Sequence, residues 1–334
     1  MIKLSEIIRK TAEEKPQEKP GLISEVIKIK KNKDKESLLD LKKIYEEAIL
    51  EVRLIMNDLK EGKVVEGKRV TNISEKIVEW LSIDKDMLLS LINNFSLYEK
   101  AEDYLYAHSI NTSILAINLG SAYGLSKDEL IDLCASTLLH DIGILKIPLE
   151  IITKPSKLTK EEFDLVKKHP DYGLQLLENI KDPPRSASKV IYEHHERIDG
   201  TGYPEGKKGE EISELAKIVA VVEVYEAITH PRPYHRSIPY EGVKMVVQEA
   251  KSSFEPKWVK IFLNHITPYP PGSFVLLNNN EVGKVVSINE NLPTRPVVEI
   301  VVNAGGKRLE KPKRIDLAKS SVLHISKALD EGKR

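Results

Sequence analysis

The segment that most constrains this 334-residue chain is a helical run that ends in two adjacent histidines and then enters a glycine-rich turn. It reads His194-His195-Glu196-Arg197-Ile198-Asp199-Gly200-Thr201-Gly202-Tyr203-Pro204. The apolar stripe of the run continues to His194, and His195 lies about 100° around the predicted helix. Two imidazoles on a core face need partners there, because burying unpaired polar groups is costly. The pattern therefore indicates a metal site beside a substrate loop.

A histidine followed by an aspartate, His140-Asp141, lies near the end of another predicted helix. Ser126-x-x-Glu129 is a capping box that predicts the start of this helix, and Gly143 predicts its end. The pair therefore falls in the last helical turn, beside an apolar face. A histidine is common near a helix C-terminus, but an aspartate there gains nothing from the helix dipole. Metal binding would explain the pair better than packing does.

Two further histidines, His108 and His169, precede the double histidine. The capping box Thr159-x-x-Glu162 predicts a helix that runs to His169 and is broken by Pro170. Taken alone, His169 is explained as an ordinary residue at a helix end. Only the series of histidines as a whole favours a ligand role.

Glu223 is the one charged residue in the apolar run 218–225. At 3.6 residues per turn, Glu223 and Glu226 continue the apolar face of a predicted helix. A buried carboxylate without a partner is costly, so it should be paired or bound to metal. The alternative to metal binding is a buried salt bridge with Arg232 or Arg236.

These candidate ligands offer imidazole nitrogen and carboxylate oxygen. The one cysteine, Cys134, is predicted to be a small core residue. A donor set without thiolate favours Fe, Mn or another octahedral first-row metal over structural zinc. Asp141 could bridge two metal ions about 3.5–4 Å apart, an arrangement that clamps the attacking and leaving oxygens of a phosphodiester.

With the glycine-rich turn, this series resembles the HD-GYP family of metal-dependent phosphodiesterases, which act on cyclic di-GMP. The resemblance covers residues 98–266 and implies a mainly α fold, an all-helical HD-domain bundle. Tyr104 stands where members with three metals have Glu, so two divalent ions, Fe or Mn, are implied. Glu223 takes the place of the Asp that is the family's final ligand. The implied metal ligands are His108, His140, Asp141, His169, His194, His195 and Glu223.

The resemblance also implies a substrate side. Gly200–Pro204 matches the GYP element, so Gly202 and Tyr203 are expected to shape the mouth of the site. Arg232 begins a match to the family's RPY element, whose arginine contacts substrate phosphate. Residues 253–256 are similar to its closing FDP segment, with Glu in place of Asp.

One departure bears on activity: Ile144 occupies the lysine position of the family's His-Asp-x-Gly-Lys motif. Lys146 lies two residues further on and is the candidate substitute for the motif lysine. Asp141 and Lys146 are the predicted catalytic residues. The implied reaction is attack of a metal-bound hydroxide that opens cyclic di-GMP to linear pGpG, with GMP as a further product. The main alternative is a degenerate domain that senses nucleotide or docks a protein. A phosphohydrolase acting on another nucleotide is the third.

The sequence predicts four regions: a loosely ordered tail (1–34), a helical N-terminal region (35–97), the HD-GYP domain (98–266) and a small β-rich extension (267–334). A heptad seam runs along the N-terminal helix. Either it forms a dimerising coiled coil, giving a homodimer, or it packs inside its own domain. The seam consists of Leu41, Tyr45, Ala48, Val52, Ile55 and Leu59.

Charge and hydropathy limit the partners. Lys plus Arg and Asp plus Glu both number 51, so no basic excess favours a nucleic acid polymer. The chain shows neither a signal peptide nor an apolar run of membrane-spanning length, which predicts a cytoplasmic protein that does not enter the membrane. The expected partners are a cyclic dinucleotide substrate and GGDEF-type or other signalling proteins.

Overall fold

The computed structural model describes residues 43–83, 103–154, 156–229, 239–249, 252–266, 268–269, 271–289 and 292–329. The chain divides into two compact units. Among the described residues, one unit, the helical unit, comprises 43–83, 103–154, 156–229, 244–249 and 252–262. The other comprises 239–243, 263–266, 268–269, 271–289 and 292–329. The predicted tail, 1–34, and part of the predicted N-terminal region lie outside the described residues.

Helices dominate the described structure, which confirms the predicted mainly α class. Two short strands, β1 (Val65–Glu66) and β2 (Ile180–Lys181), pair in parallel. Turns of 3-10 helix lie at Ile142–Lys146 and Gly209–Glu211. The helices are 43–60 (α1), Gly67–Ile83 (α2), Asp103–Tyr123 (α3), Lys127–Leu138 (α4), Leu149–Ile152 (α5), Lys160–Val166 (α6), His169–Leu177 (α7), Ala187–Glu193 (α8), Glu214–Thr229 (α9), Pro239–Glu249 (α10) and Pro256–His265 (α11).

Both predicted capping boxes form. Ser126 and Glu129 start α4, and Thr159 and Glu162 start α6, each with side chain and backbone bonded reciprocally. The predicted end of α4 was wrong, because the helix stops at Leu138 and tightens into i−3 hydrogen bonds. The His140-Asp141 pair therefore lies in the turn between α4 and the first 3-10 helix.

The expectation for His169 was also wrong. It begins α7 instead of ending α6, and Pro170 occupies the first turn of α7. Proline is well tolerated there because the first backbone N–H groups of a helix have no helical partner. A Cβ atom on Gly143 would collide with the carbonyl oxygen of His169, so the turn after α4 packs directly on the start of α7. This close approach brings Asp141 and His169 together.

The heptad seam of α1 is buried within the chain. Tyr45, Ala48, Val52, Ile55 and Leu59 are each no more than 6 % exposed, and Leu41 lies outside the described residues. The structure thus supports packing of this seam inside its own domain, and it gives no support to a homodimer formed through it. Apolar burial of this kind is what holds an amphipathic helix in place.

The C-terminal β extension is a five-stranded antiparallel sheet of order β6-β5-β4-β3-β7. Its strands are β3 (Phe274–Leu277), β4 (Val282–Ser287), β5 (Val297–Val302), β6 (Arg308–Asp316) and β7 (Ile325–Leu329). Val275, Leu277, Val285, Val298 and Ile300 form its core with Tyr269 and Leu317. Alternating apolar runs at 274–277, 282–288 and 297–302 predict three of the five strands from the sequence. β6 and β7 were missed because these edge strands carry exposed charges and lack a clean apolar alternation.

Candidate metal centre

Four connected parts of the helical unit bring the predicted ligands together. His108 lies on α3, the His140-Asp141 pair follows α4, His169 begins α7, and His194-His195 follow α8. The ligand atoms form two groups, and within each group they lie within 4.8 Å of one another. One group is His108, His140 and Asp141, and the other is Asp141, His169, His194 and His195.

Asp141 belongs to both groups. Its Oδ2 atom lies 3.5 Å from Nε2 of His108 and 3.6 Å from Nε2 of His140. Its Oδ1 atom lies 3.3 Å from Nε2 of His169 and 3.6 Å from Nε2 of His194. One carboxylate oxygen thus faces each group, as a carboxylate that bridges two cations requires.

Backbone carbonyls orient three of these rings. The Nδ1 atom of His140 donates to the carbonyl of Thr137 at 2.7 Å, and that of His169 donates to Val166 at 2.8 Å. The Nδ1 atom of His194 lies 3.0 Å from the carbonyls of both Val190 and Ile191. A proton held on Nδ1 leaves Nε2 as the lone-pair nitrogen that faces Asp141.

The residues fit a divalent metal. Nε2 of His140 is buried and has no hydrogen-bond partner among the described residues. A buried nitrogen lone pair is costly unless something completes it, and a cation would do so. Imidazole nitrogens with one shared carboxylate are also a typical donor set for first-row divalent ions.

Burial favours the neutral form, which is the form that binds metal, in three of the five histidine rings. Burial lowers the pKa of His140 to about 3 and that of His169 to about 4, and it holds the pKa of His195 well below its usual value. Burial alone would raise the pKa of Asp141, but the surrounding histidines outweigh it and lower that pKa. Neutral imidazoles and an ionised carboxylate are the states that bind metal.

His108 has a carboxylate behind it. Its Nδ1 atom makes a short hydrogen bond to Oε2 of Glu226 on α9, and Oε1 of Glu226 accepts from Nδ2 of Asn111 at 3.2 Å. Burial would lower the pKa of His108, but Glu226 outweighs it and raises that pKa to about 8. Glu226 is thus an outer partner of a predicted ligand, of the kind that fixes ring orientation.

Glu223 lies beside the cluster but in neither group. Its Oε1 atom is 3.6 Å from Nε2 of His195, and its Oε2 atom is buried without a hydrogen-bond partner in the described part of the chain. Burial raises its pKa. The alternative partners Arg232 and Arg236 lie outside the described residues, so the ligand role of Glu223 stays a prediction.

The glycine-rich turn packs on the second group. The ring of Tyr203 stacks on that of His195, with centroids 4.5 Å apart and an interplanar angle of 24°. A Cβ atom on Gly202 would lie 2.5 Å from three backbone atoms of residues 195–197, so only glycine fits there. These two contacts place the predicted substrate-side residues next to the predicted ligands.

Glu196 holds the far side of this turn and was not predicted. Its buried carboxylate accepts hydrogen bonds from the backbone N–H groups of Glu205, Gly206 and Lys207 at 2.8–3.1 Å. Glu193 adds an ion pair with Lys207 at 2.9 Å. The position of Glu196 beside the double histidine was the one sequence feature that could have drawn attention to it.

Lys146 has contacts away from the ligands. Its ammonium group donates to Oε1 of Gln175 and lies 5.8 Å from the ring centroid of Tyr172. The described contacts of Lys146 do not include Asp141 or a histidine of the cluster, so its predicted catalytic role gains no support. Arg232, the predicted phosphate contact, lies outside the described residues.

Comparison with known families agrees with this geometry. The family model described as HD domain matches residues 87–258, and the model described as KOW domain associated with HD domain matches residues 274–334. Because the first match covers more than half of the 334 residues, the chain belongs to the HD domain family.

Proteins of similar sequence indicate the type of HD domain. The chain is 33 % identical to the cyclic di-GMP phosphodiesterase PdeB of Borreliella burgdorferi, over 66 % of this chain and 58 % of that protein. It is 27 % identical to a 3'3'-cGAMP-specific phosphodiesterase of Vibrio cholerae, over 59 % of this chain and 44 % of that protein. The chain thus spans less than two thirds of these relatives. Such relatives confirm the resemblance to the HD-GYP type, and they give no support to a degenerate sensor.

A solved structure shares the fold. An HDG"Y"P protein from Bdellovibrio bacteriovorus superposes with a TM-score of 0.54 and 19 % sequence identity, covering 65 % of this chain and 68 % of that one. In the described part of the chain, none of the helices has both the length and the apolar character that crossing a bilayer requires.

Proposed function

We propose that the chain is a metal-dependent phosphodiesterase that hydrolyses cyclic di-GMP to linear pGpG, with GMP as a further product. The observation that carries this proposal is the sharing of Asp141 by two groups of imidazoles, all of which are buried except that of His195. Two adjacent cation positions joined by one carboxylate suit the hydrolysis of a phosphodiester, a reaction that is very slow without catalysis.

Two divalent ions, Fe or Mn, would be held by the residues of the two groups. His108 and His140 would hold one, His169, His194 and His195 the other, and Asp141 both; Glu223 would complete the second. Such ions lower the pKa of water and neutralise charge on phosphoryl oxygens.

The chain's own residues prepare this site. Burial keeps His140, His169 and His195 neutral at pH 7, so protons compete little for their nitrogens. The carbonyls that hold the Nδ1 protons fix the rings in advance, which limits the rearrangement needed on binding. Tyr203, stacked on His195, would form one wall of the substrate mouth, and Arg232 would bind a substrate phosphate.

Cyclic di-GMP is preferred to 3'3'-cGAMP as the substrate because PdeB, the more similar of the two relatives above, is named for the former. The test is chromatography of products after incubation of each dinucleotide with protein loaded anaerobically with Fe(II) or Mn(II). Release of pGpG or GMP from cyclic di-GMP is expected. Turnover of 3'3'-cGAMP alone would overturn the substrate, and no turnover of either by metal-loaded protein would overturn the enzyme.

Matched variants tie the activity to the cluster. Asp141→Asn should abolish both Mn(II) binding and product formation, because the amide lacks the charge that both groups share. Asp132→Asn is the control, since Asp132 bonds the hydroxyl of Ser186 at 2.6 Å, outside the cluster. Full metal content in Asp141→Asn would refute the assignment of this carboxylate.

A further inference from the structure

A line of buried side chains connects α1 to the predicted metal site. The hydroxyl of Tyr45 donates to Oδ1 of Asn111 at 2.6 Å, and Nδ2 of Asn111 donates to Oε1 of Glu226 at 3.2 Å. Oε2 of Glu226 then accepts the short hydrogen bond from Nδ1 of His108. The four residues are between 0 and 4 % exposed, so water competes little for these bonds.

The donors and acceptors of this line have a fixed order. The phenol hydroxyl occupies the amide oxygen of Asn111, which turns the NH₂ group towards Glu226. That NH₂ group donates to one carboxylate oxygen of Glu226, and the other oxygen accepts from His108. Nδ1 of His108 therefore keeps a proton, and its Nε2 atom faces Asp141 at 3.5 Å.

Packing alone does not require a hydroxyl at position 45. The other described members of the heptad seam, at 48, 52, 55 and 59, are aliphatic, and a phenylalanine would fill a similar volume. Tyr45 also lies outside residues 87–258, the part of the chain that matches the HD domain family. A segment beyond the family match thus supplies the first donor of a line that ends at a predicted ligand.

We propose that Tyr45 and Asn111 are positioning residues that hold Glu226 against His108, so that the hydroxyl group supplied by α1 raises the affinity of the His108 position for a divalent cation. This inference rests on the proposed metal site. Both residues lie behind Glu226, and their effect reaches the site through its carboxylate.

The test is calorimetric titration of Mn(II) into metal-free full-length protein. Tyr45→Phe removes only the hydroxyl, which acts on His108 through two other residues. It should weaken binding at one position measurably, by up to about tenfold, the lower end of the range for residues that bond a ligand directly. Val52→Ala is the matched control, because it loosens the buried face of the same helix and leaves the hydrogen-bond line intact. Its Mn(II) affinity should equal that of the wild type, even where denaturation shows a larger loss of stability.

A double-mutant cycle separates the line of hydrogen bonds from a general effect. In a Glu226→Gln background, Tyr45→Phe should cause little further loss of affinity, since the carboxylate it acts through is gone. An undiminished effect in that background, or wild-type affinity in Tyr45→Phe alone, would overturn the inference. If Tyr45→Phe does not fold, Asn111→Ala tests the same line in the same cycle.

The readouts also separate this inference from the proposed function. Wild-type protein that binds no Mn(II) would overturn both. If the wild type and Tyr45→Phe bind Mn(II) with equal affinity, only the proposed role of Tyr45 would be overturned. In ¹⁵N-histidine spectra of the metal-free protein, the Nδ1 proton of His108 should shift in Tyr45→Phe and stay unchanged in Val52→Ala.

Discussion

The ammonium group of Lys146 donates a hydrogen bond to Oε1 of Gln175 at 2.8 Å, with both side chains exposed. This contact turns the lysine nearest to the family's motif position towards the outer side of α7. We therefore expect Lys146→Ala to change kcat/KM for cyclic di-GMP by no more than about twofold, as for a typical surface substitution. Steady-state kinetics of the Mn(II)-loaded protein would measure it. A loss of tenfold or more would restore Lys146 as a catalytic residue.

Ile144→Lys is the companion variant, because it places an ammonium group at the motif position itself. Ile144 is only partly buried, so the longer side chain can reach solvent without breaking the core. We expect higher kcat/KM if charge at this position limits phosphate binding. An unchanged value, with unchanged Mn(II) content, would show that position 144 does not limit the reaction.

Gly202→Ala should disturb the turn that places Tyr203 on His195. The added Cβ atom would meet backbone on three sides at 2.5 Å, so the turn must move. We expect a loss of about 1–3 kcal/mol in the free energy of unfolding, as for overpacking, together with lower activity. Urea unfolding measures this free energy, with Trp80 and Trp258 fluorescence following the helical unit and circular dichroism following the whole chain.

Gly305→Ala is the control for that substitution. The nearest heavy atom to its added Cβ would be Oδ1 of Asn303, at 3.4 Å, which is ordinary van der Waals contact. Its effect on stability should stay within about 0.5 kcal/mol. Equal stability of Gly202→Ala and the wild type would contradict the backbone contacts described for this turn.

Local sequence patterns predicted the starts of helices but not how those helices meet. Ser126 with Glu129, and Thr159 with Glu162, determine caps through contacts three residues apart, so α4 and α6 could be recognised. Pro170 was misjudged because proline suits a helix start as well as a helix break. Its role depends on the contact between Gly143 and the start of α7, which no local pattern reports.

The candidate site, too, was predicted only in part. The resemblance to a family supplied the histidines and Asp141, which the structure brings together in two groups. Glu226 was recognised as a carboxylate on an apolar helix face, but its pairing with His108 was not predicted. Asn111 was missed because it lies 115 positions from Glu226 and looks like an ordinary polar residue in the sequence. Spacing to His108, three residues before Asn111, was the only available hint.

Cys134 should be almost unreactive in the folded protein. Its side chain is fully buried on α4, and burial raises the pKa of its thiol to about 12. The thiolate is the reactive form, so at pH 8 the native protein holds roughly a thousandfold less of it than an unfolded chain would. Reaction with a chromogenic disulfide should be slow in buffer and fast in guanidinium. Rapid labelling of the native protein would contradict this burial, and Cys134→Ser gives the blank.

Glu223 should destabilise the metal-free protein. Burial raises its pKa in the folded state above the value of 4.5, so the native protein binds a proton more tightly there than the unfolded chain does. The stability linked to this group is therefore fully present below pH 4.5 and is lost as the pH rises through the folded-state pKa. Glu223→Gln should raise the free energy of unfolding of EDTA-treated protein at pH 8 by about 1 kcal/mol or more.

The same substitution should weaken Mn(II) binding, since it removes a carboxylate beside His195. Glu223→Gln should thus stabilise the metal-free protein and weaken its binding of metal. These opposite effects are expected where a buried charge is retained in order to bind a cation. Urea unfolding at pH 8 and pH 5 should show the stability advantage shrinking at the lower pH, while the exposed control Glu150→Gln stays close to the wild type at both. Weaker metal-free stability of Glu223→Gln at pH 8 would mean that its carboxylate has a partner in the folded chain.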